Sequence, residues 1–423
     1  MAFVLGIDVG TSGARVVAMD ADAEVVAQAS TRLSASGDNH RDPHIWWSAV
    51  QASLRDCLRK INKSKVRSIA VDGTSGTVLP VDVSGTPLAE PLMYNDRVDD
   101  TVILNCIGEI VPSTSAAHGP TSGLAKMLHF QSADGVAKLL HQADWIAGKL
   151  SGRFDVTDEN NALKSGYDPV ERRWPEWIRE TGLQPHLLPD VVPAGMSVGP
   201  MLSAMAHHFG LPAGCLVIAG TTDGCASFLA TGASQPGDGV TALGSSLTLK
   251  LLSHRPVFAP EYGVYSHRIL DMWLAGGASN TGGKVLAHFF DAAALNRLSG
   301  HIDPDQPSGL DYYPLTSPGE RFPFMDPSLA PRLKPRPSHE AAFLHGMLEG
   351  IAAIEQLGYQ RLAELGAPPL NSVRSVGGGA ANPQWTIMRQ RMLDVPFLPA
   401  ASTEAAAGAA RLALIGARKA GVL

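Results

Sequence analysis

The stretch FVLGIDVGTSGARVVAMD, residues 3–20, places a carboxylate, glycines and two hydroxyls around one tight turn. The glycine at 10 lets the backbone approach an anion closely, and Thr11 and Ser12 add hydroxyl donors. A carboxylate such as Asp8 beside a phosphate is repulsive unless a cation lies between them. The stretch therefore indicates a phosphate site with Mg²⁺ bound through waters, although a GTSG turn on its own is more often only a turn.

A second stretch, DGVTALGSSLTLKLLS at 238–253, has the same plan of apolar strand, glycine, two hydroxyl residues and apolar strand. Gly244, Ser245 and Ser246 take the places of Gly10, Thr11 and Ser12. This weak self-similarity at half the chain length predicts two copies of one domain plan. The two turns together suggest a cleft between the domains that holds a polyanion.

Asp223 lies in CLVIAGTTDGCASFLATGA, residues 215–233, which is typical of a buried strand followed by a helix. A carboxylate at a helix start is well suited to capping that helix. The helix N-terminus also keeps the carboxylate ionised, and an ionised carboxylate can accept a proton from a substrate hydroxyl. The two roles are compatible, and both remain open at this point.

The run GGGAAN, from Gly377 to Asn382, follows one predicted strand and precedes a predicted helix. Three glycines allow a flat ligand such as adenine to lie against the backbone, or they form only a strand-to-helix turn. The run lacks the spacing of the dinucleotide motif G-x-G-x-x-G. The stretch ASNTGGKV at 278–285 departs from the phosphate motif G-x-x-x-x-G-K-[ST] at both ends.

Three further polar segments could hold a polyol through hydroxyl and amide groups, or could be solvated loops. DGTSGT at 72–77 is expected to expose Ser75 and Thr77, YNDR at 94–97 pairs an acid with a base, and DENNALKSGYD at 158–168 is expected to be a polar loop around Asn161.

Apolar periodicity predicts the elements that position these residues. A three-strand meander is expected over 3–8, 15–19 and 24–30, and a strand–glycine turn–strand unit over 66–82. Residues 300–338 are rich in Pro, Gly and Asp and are expected to form a long surface excursion. The remaining predictions are helices near 45–61, 136–150, 202–209, 339–365 and from Glu404, and strands near 271–276 and 373–376.

The composition of the chain favours a globular protein and argues against nucleic-acid-binding and membrane-spanning proteins. The chain has 423 residues, of which 45% are hydrophobic and 17% charged, so two folded globular domains are expected. A net charge of −6 argues against a nucleic-acid partner. No apolar run approaches a membrane span, and four cysteines without C-x-x-C spacing are expected to be reduced thiols of a cytoplasmic protein.

The motifs, taken as a set, resemble those of the FGGY carbohydrate kinases. GIDVGTSGARVVAMD, AGTTDGCASFLATGA, VTALGSSLTLKL and SVGGGAANPQW occur in the family's order and spacing, and the resemblance runs from residue 3 to the C-terminus. YNDR lies where many members carry a W-x-D-R element, with Tyr94 in place of Trp. The short chain, DGTSGTVL and NALKSGYDP resemble the compact plant and cyanobacterial-type members that phosphorylate D-ribulose.

The resemblance implies an α/β fold of two ribonuclease H-like, actin-like domains with ATP in the cleft between them. The N-terminal domain would comprise residues 1–230 plus 404–423, and the C-terminal domain residues 231–403, with a hinge near 230–240. The final helix would pack back on the first domain.

Carried over residue by residue, Asp223 matches the general base, and Asp8 matches the catalytic carboxylate on the Mg²⁺ and phosphate side. The other implied contacts are Gly10, Thr11, Ser12 and Arg15 for the first phosphate hairpin; Gly244, Ser245 and Ser246 for the second; Gly378, Gly379 and Asn382 for adenosine; and Asp8, Ser75, Asp96, Arg97 and Asp223 for the sugar.

The predicted reaction is transfer of the γ-phosphoryl group of Mg-ATP to a primary hydroxyl of a ketopentose, with D-ribulose favoured. D-xylulose kinase is the alternative in the same class. An actin-like ATPase or a sugar-responsive binding protein without kinase turnover is the alternative from another class. The expected partners are the sugar and ATP, with no nucleic acid and no membrane, and the expected state is a monomer or homodimer.

Overall fold

The computed structural model describes residues 1–423, which divide into two compact units. The first unit comprises Met1–Ala230, His267–Leu270 and Glu404–Leu423. The second comprises Thr231–Ser266 and Asp271–Thr403. None of the helices combines the length and the apolar composition needed to cross a bilayer.

The strands and helices are numbered separately in chain order. The strands are β1 (Phe3–Val9), β2 (Gly13–Asp20), β3 (Val25–Arg32), β4 (Val66–Gly73), β5 (Val78–Val81), β6 (Lys138–His141), β7 (Val156–Asp158), β8 (Asp190–Val192), β9 (Ser197–Pro200), β10 (Leu216–Thr222), β11 (Asp238–Leu243), β12 (Leu247–Ser253), β13 (Tyr265–Ile269), β14 (Met272–Ala278) and β15 (Ser372–Val376). The helices are α1 (Pro43–Leu58), α2 (Thr101–Ile110), α3 (Gly123–Phe130), α4 (Gln142–Ser151), α5 (Glu159–Leu163), α6 (Trp177–Glu180), α7 (Ser203–Phe209), α8 (Asp223–Ala230), α9 (Gly283–Phe289), α10 (Ala292–Ser299), α11 (Glu340–Glu364), α12 (Pro383–Leu393) and α13 (Ala405–Lys419).

The first unit is built on a six-stranded sheet in the order β3-β2-β1-β4-β10-β9. The meander β1-β2-β3 is antiparallel, as predicted, whereas β4 runs parallel to both β1 and β10. Strand β1 is apolar and almost wholly buried, as expected for a strand covered on both faces. Helix α1 packs on β2 and β3, and α13 packs on β1, β4 and β10.

The close crossing of α13 over β1 depends on small residues. A Cβ atom at Gly6 would lie 2.0 Å from the carbonyl oxygen of Ala406, and one at Gly408 would lie 1.8 Å from that of Ala226. Helix α13 is rich in alanine and glycine for the same reason. The chain returns to the first unit through this helix.

The second unit repeats the central strand order of the first. Strands β14-β12-β11-β15 lie side by side; β11 and β12 form an antiparallel hairpin, and β15 runs parallel to β11. The long helix α11 covers this sheet and buries Phe343, Met347 and Ile351 in a core of its own. The two units therefore share one α/β plan, in agreement with the predicted fold class.

The sequence-based prediction of a helix over 136–150 is wrong in its first third. Residues Lys138–His141 form strand β6, which pairs with β5, and the helix starts only at Gln142. His141 and Asp144 form a capping box that fixes this start. The pairing of β5 with β6 also means that β4 and β5 do not form a hairpin, although both strands exist.

Residues 300–338 contain no helix or regular strand, but they are not merely a surface excursion. Tyr312, Tyr313, Leu315 and Phe322 are buried in the core of the second unit. Helix α11 and the sheet present an apolar surface, and these large side chains cover it although their segment has no regular structure. Removing that apolar surface from water is favourable. The prediction of a surface segment is therefore wrong for these residues.

Candidate functional site

Three carboxylates lie at the carboxyl ends of three neighbouring parallel strands. Asp8 in β1 stands directly opposite Asp72 in β4, and Thr221 of β10 stands opposite Asp72 on the other side. Asp223 follows β10 directly and begins α8. Because the carboxyl ends of parallel strands share one edge, this edge collects negative charge from three segments far apart in sequence. It is called the carboxylate edge below.

Asp8 is buried and forms a salt bridge to Arg15, with Arg15 Nη1 lying 2.9 Å from Asp8 Oδ2. Burial raises the pKa of Asp8 above its ordinary value, and Arg15 acts in the opposite direction. Arg15 Nε also lies 3.4 Å from Glu404, just before α13. The first turn thus brings Asp8 and Arg15 together, which the residue types alone did not indicate.

Asp72 is the functional candidate that the sequence reasoning missed. Its side chain is fully buried, and neither carboxyl oxygen has a hydrogen-bond donor within reach. Burial raises the pKa of Asp72 well above its ordinary value, and the charges of Asp8 and Asp223 raise it further. Both effects favour the neutral form of Asp72, which stands opposite Asp8 in the neighbouring strand. A signal was available, because DGTSG at the end of β4 resembles DVGTSG at the end of β1, with an acid close before a GTSG turn.

Asp223 is half-buried, and its Oδ1 accepts a hydrogen bond from Gly224 N at 2.7 Å. It is the first residue of the eight-residue helix α8, where the helix dipole favours the ionised carboxylate. The predicted strand-to-helix junction is therefore present. Its partial exposure leaves the carboxylate accessible to a small molecule.

The first turn closes through its backbone. Gly10 N donates to Gly13 O at 3.0 Å, and Ser12 O accepts from Leu33 N at 3.0 Å. The side chains of Thr11 and Ser12 are exposed. The turn is thus rigid, with both hydroxyls presented at its tip.

The second unit contains a cavity of about 570 Å³ that gathers five of the predicted nucleotide residues. These are Gly244, Ser245, Gly378, Gly379 and Asn382. Ser246 belongs to the same turn but does not line the cavity. Further lining residues that the sequence reasoning did not single out are Lys284, Asn296 and Trp385.

The glycine turn of this cavity is supported by the start of α9. Gly283 N donates to Gly244 O at 2.8 Å, and Lys284 N donates to Ser245 O at 3.0 Å. The stretch that departs from the G-x-x-x-x-G-K-[ST] motif therefore still supplies a lysine beside a glycine-hydroxyl turn. An ammonium and a glycine turn are groups that bind phosphate well.

The glycines after β15 have different reasons to be glycine. A Cβ atom at Gly378 would meet no other atom within 4 Å, so the space beside it is open to a ligand. A Cβ atom at Gly379 would lie 2.6 Å from the Trp385 ring. Asn382 caps α12 by accepting from Trp385 N at 3.1 Å, and its amide donates to Ser299 at 2.9 Å. The GGGAAN run is thus a strand-to-helix turn that also lines the cavity, and binding of adenine there stays a prediction.

The residues predicted to bind the sugar do not all lie together in the structure. Ser75 lies just beyond the carboxylate edge, with its hydroxyl buried and unpaired. Asp96 is held by Arg41 through two hydrogen bonds of 2.7 and 2.6 Å, and it also accepts from Met93 N. Burial acts to raise the pKa of Asp96. The hydrogen bonds from Arg41 and Met93 outweigh burial, and the pKa of Asp96 is lower than its ordinary value. Arg97 is exposed and contacts Asp99, so the structure does not bring it to Asp96.

Two other expectations about polar segments were wrong. Thr77 is fully buried and bonds to Thr74, so it is not exposed. Asn161 lies in helix α5 and is buried, with its amide nitrogen 2.6 Å from Asp158. Asp158 caps α5 through the backbone N–H groups of Asn160 and Asn161, and the amide of Asn160 donates to Thr221, so these buried polar groups are bonded.

No group of three His, Cys, Asp or Glu side chains is arranged to hold a metal ion by itself. Mg²⁺ usually takes one or two carboxylates and completes its coordination with waters and substrate phosphates. The carboxylate edge fits that requirement, since Asp8 is a buried carboxylate that forms a salt bridge to Arg15.

Models of one protein family match both halves of the chain. The N-terminal domain model of the FGGY family of carbohydrate kinases matches residues 3–116 and 125–230, and the C-terminal domain model matches residues 239–417. A xylulose kinase of Staphylococcus epidermidis is 23% identical over 418 residues, covering 93% of this chain and 83% of the relative. A xylulose kinase of Streptomyces rubiginosus is 26% identical over 430 residues, covering 93% and 84%.

Among solved structures, that of a "xyloylose kinase" from Brucella ovis superposes with a TM-score of 0.88 at 24% identity, covering 99% of this chain and 91% of the other. At this identity the likeness concerns the fold.

Proposed function

This chain belongs to the FGGY family of carbohydrate kinases, and we propose that it transfers the γ-phosphoryl group of ATP to the primary hydroxyl of a ketopentose. Family membership makes the protein a phosphotransferase with an alcohol group as acceptor. The observation that carries the more specific proposal is the carboxylate edge, where an accessible Asp223 adjoins the buried pair Asp8 and Asp72.

Asp223 is the proposed general base. An alcohol attacks phosphorus efficiently only if its proton leaves as the new bond forms. The dipole at the start of α8 favours an ionised carboxylate, and such a group can accept that proton and orient the hydroxyl. Phosphoryl transfer needs little covalent chemistry from the protein beyond this orientation and the neutralisation of charge.

Asp8 is the proposed carboxylate on the phosphate side, together with the turn Gly10–Ser12 and Arg15. Asp8 would hold Mg²⁺ through waters, and the metal would neutralise the phosphate oxygens when bound. Asp72 stands opposite Asp8 in the neighbouring strand, and its raised pKa favours a neutral group beside that carboxylate. Arg15 supplies a permanent positive charge next to Asp8.

The cavity of the second unit is the proposed nucleotide site. Gly378 offers an open backbone surface for adenine, and Gly244, Ser245 and Lys284 offer donors for phosphates. Its volume of about 570 Å³ lies in the ordinary range of small-molecule sites.

Two ketopentoses compete as acceptors, and they differ only in the configuration at C3. D-ribulose is supported by the resemblance of DGTSGTVL and NALKSGYDP to the compact members. D-xylulose is supported by the relatives from Staphylococcus epidermidis and Streptomyces rubiginosus, which are named for that sugar. Both sugars present the same primary hydroxyl to Asp223, so the proposed mechanism is common to them.

The test is release of ADP from Mg-ATP in the presence of D-ribulose, L-ribulose, D-xylulose, ribitol, glycerol or no sugar. We expect strong stimulation by a ketopentose, with ³¹P NMR locating the new phosphate on the terminal carbon. Preference for D-xylulose over D-ribulose would keep the mechanism and change the substrate. Equal ATP hydrolysis with and without sugar would instead favour an actin-like ATPase or a binding protein without kinase turnover.

A further inference from the structure

Lys126 is a charged side chain enclosed in the first unit. It lies on α3 and is fully buried, among the largest side chains in the molecule with no exposure. Its ammonium donates to two main-chain carbonyls, that of Gly76 at 2.7 Å and that of Met93 at 2.6 Å. A buried ammonium is costly, so its retention here requires a reason that packing does not supply.

The two carbonyls belong to the two segments proposed for the sugar. Gly76 lies in the turn that follows β4 and Asp72, next to Ser75 with its buried, unpaired hydroxyl. Met93 begins the segment that leads to Asp96, and Met93 N donates to that carboxylate at 2.7 Å. One ammonium therefore connects the turn after the carboxylate edge to the YNDR segment.

The surroundings of Lys126 on its own helix are apolar. Leu124, Ala125, Met127 and Leu128 are all buried in one hydrophobic cluster with Phe130. An apolar residue of similar length at position 126 would fill the same space without the cost of a buried charge. The lysine therefore serves the two carbonyls rather than the core.

We propose that Lys126 is a positioning residue for the acceptor sugar, which fixes the turn Thr74–Thr77 relative to the segment Met93–Arg97. This inference rests on the proposed kinase function and assigns the sugar side of that site a residue that touches no reacting atom. Ser75 and the main chain of the turn are the groups through which it acts. The charge of Asp96 stabilises the ammonium in place.

The lowered pKa of Lys126 shows that burial disfavours its charged form. Burial lowers the pKa of Lys126 to about 8, Asp96 acts to raise it, and Lys164 lowers it further. The charge is thus tolerated because two carbonyl dipoles and one carboxylate surround it.

The test compares Lys126→Met with the matched control Lys138→Met in the full-length protein. Lys138 also donates to two main-chain carbonyls, those of His186 and Leu188, at 2.9 and 2.7 Å. In Lys126→Met we expect the KM for the ketopentose to rise about 10- to 100-fold, with the KM for ATP changed less than about twofold. Lys126→Arg should recover part of the loss because it keeps the charge and the donors. Lys138→Met should leave both constants unchanged.

A nucleotide-induced shift of the melting temperature establishes that each variant is folded. If Lys126→Met does not fold, the same KM values are measured for Lys126→Gln, which keeps a hydrogen-bond donor without the charge. An unchanged KM for the sugar, or equal losses for sugar and ATP, would overturn the positioning role. Wild-type protein without any sugar-dependent ADP release would instead overturn the proposed function, so the two failures are distinct.

Discussion

The two units contrast in how they treat buried carboxyl groups. In the first, Asp8 is bonded to Arg15, but Asp72 is buried and accepts no hydrogen bond, and Glu159 has only an ion pair with Arg172 at 3.5 Å. In the second, Glu355 forms two hydrogen bonds with Arg389 at 2.6 and 2.7 Å, and Glu320 accepts from Ser279, Asn280 and Tyr313. Removing one partner of a buried ion pair is strongly destabilising, whereas a buried carboxyl group that has no partner is costly and its retention calls for another reason. The unpaired carboxyl Asp72 lies at the proposed reaction centre.

The two glycine hairpins, β1-β2 around Gly10 and β11-β12 around Gly244, also differ in the charge of their side chains. Counting back two residues from the turn glycine gives Asp8 in the first hairpin and Ala242 in the second. Asp8 faces Arg15 and Asp72 across the neighbouring strands, whereas Ala242 faces Thr248 and Val376. One scaffold therefore carries a pair of facing carboxyl groups in the first unit and a glycine-lined cavity with Lys284 in the second.

The largest expected effect is on the accessible carboxylate of the first unit. Asp223→Ala should lower kcat by about 10³-fold, because no other group would accept the proton of the sugar hydroxyl. Nucleotide affinity, measured by calorimetry, should change little because the cavity lies in the second unit. Equal loss of turnover and nucleotide binding would mean that Asp223 holds the start of α8 and is not the base.

Breaking the paired carboxylate of the second unit should cost stability. Arg389→Met leaves Glu355 buried without its partner, and the free energy of unfolding should fall by about 3–5 kcal/mol. The control is Arg332→Met, because Arg332 pairs with Asp311 at the surface of the same unit, and a loss of at most about 1 kcal/mol is expected there. Urea unfolding followed by tryptophan fluorescence measures both. Similar losses in the two variants would remove the distinction between buried and exposed pairs.

Asp8→Asn should lower kcat/KM for Mg-ATP by about 10²-fold, since it removes the charge that faces Arg15 and the proposed metal. The variant should also respond less steeply to Mg²⁺ concentration. Asp20→Asn is the matched control, because Asp20 is a buried aspartate at the opposite end of the same hairpin. Unchanged kinetics and Mg²⁺ dependence in Asp8→Asn would refute the metal role.

Ala242→Asp introduces into the second hairpin the charge that distinguishes the first. A carboxylate beside the Gly244 turn should repel the nucleotide phosphates and raise the KM for ATP about tenfold. The KM for the sugar should stay constant, and Ala242→Asn should show a much smaller change because it adds bulk without charge. If the Asp and Asn variants behave alike, size rather than charge separates the hairpins.

The smallest expected effect concerns Glu159, whose ion-pair partner Arg172 lies 3.5 Å away. Burial raises the pKa of Glu159 to about 7 from 4.5, against the opposing charge of Arg172. The folded protein therefore binds a proton that the unfolded chain releases between these values, so stability falls as pH rises through that window.

Glu159→Gln cannot release that proton. Its free energy of unfolding should decline less than that of the wild type between pH 5 and 7, by on the order of 1 kcal/mol. Urea unfolding at several pH values measures the difference, and Asp155→Asn is a control because Asp155 is a half-exposed acid of the same unit that pairs with Arg153. Parallel pH profiles for wild type and Glu159→Gln would show that Glu159 titrates normally.

Local sequence patterns were enough to predict most elements near the candidate site. The strands around Asp8 and Gly244, the junction at Asp223 and the turn at Gly377 are each encoded within about ten residues by apolar period and glycine placement. The helix predicted over 136–150 failed because β6 is a strand only through its pairing with β5. That pairing is a long-range contact, and local pattern carries no record of it.

The sequence by itself determined the family, the two-copy plan and the identity of two of the three carboxylates, because these depend on residue types at short spacing. Only the tertiary structure brought Asp72 beside Asp8, since their strands are neighbours in the sheet although 64 positions separate them. It also placed Arg41 on Asp96 and enclosed Lys126 between Gly76 and Met93. Such contacts are set by the packing of whole elements, and packing energy depends on burial and distance rather than on neighbourhood along the chain.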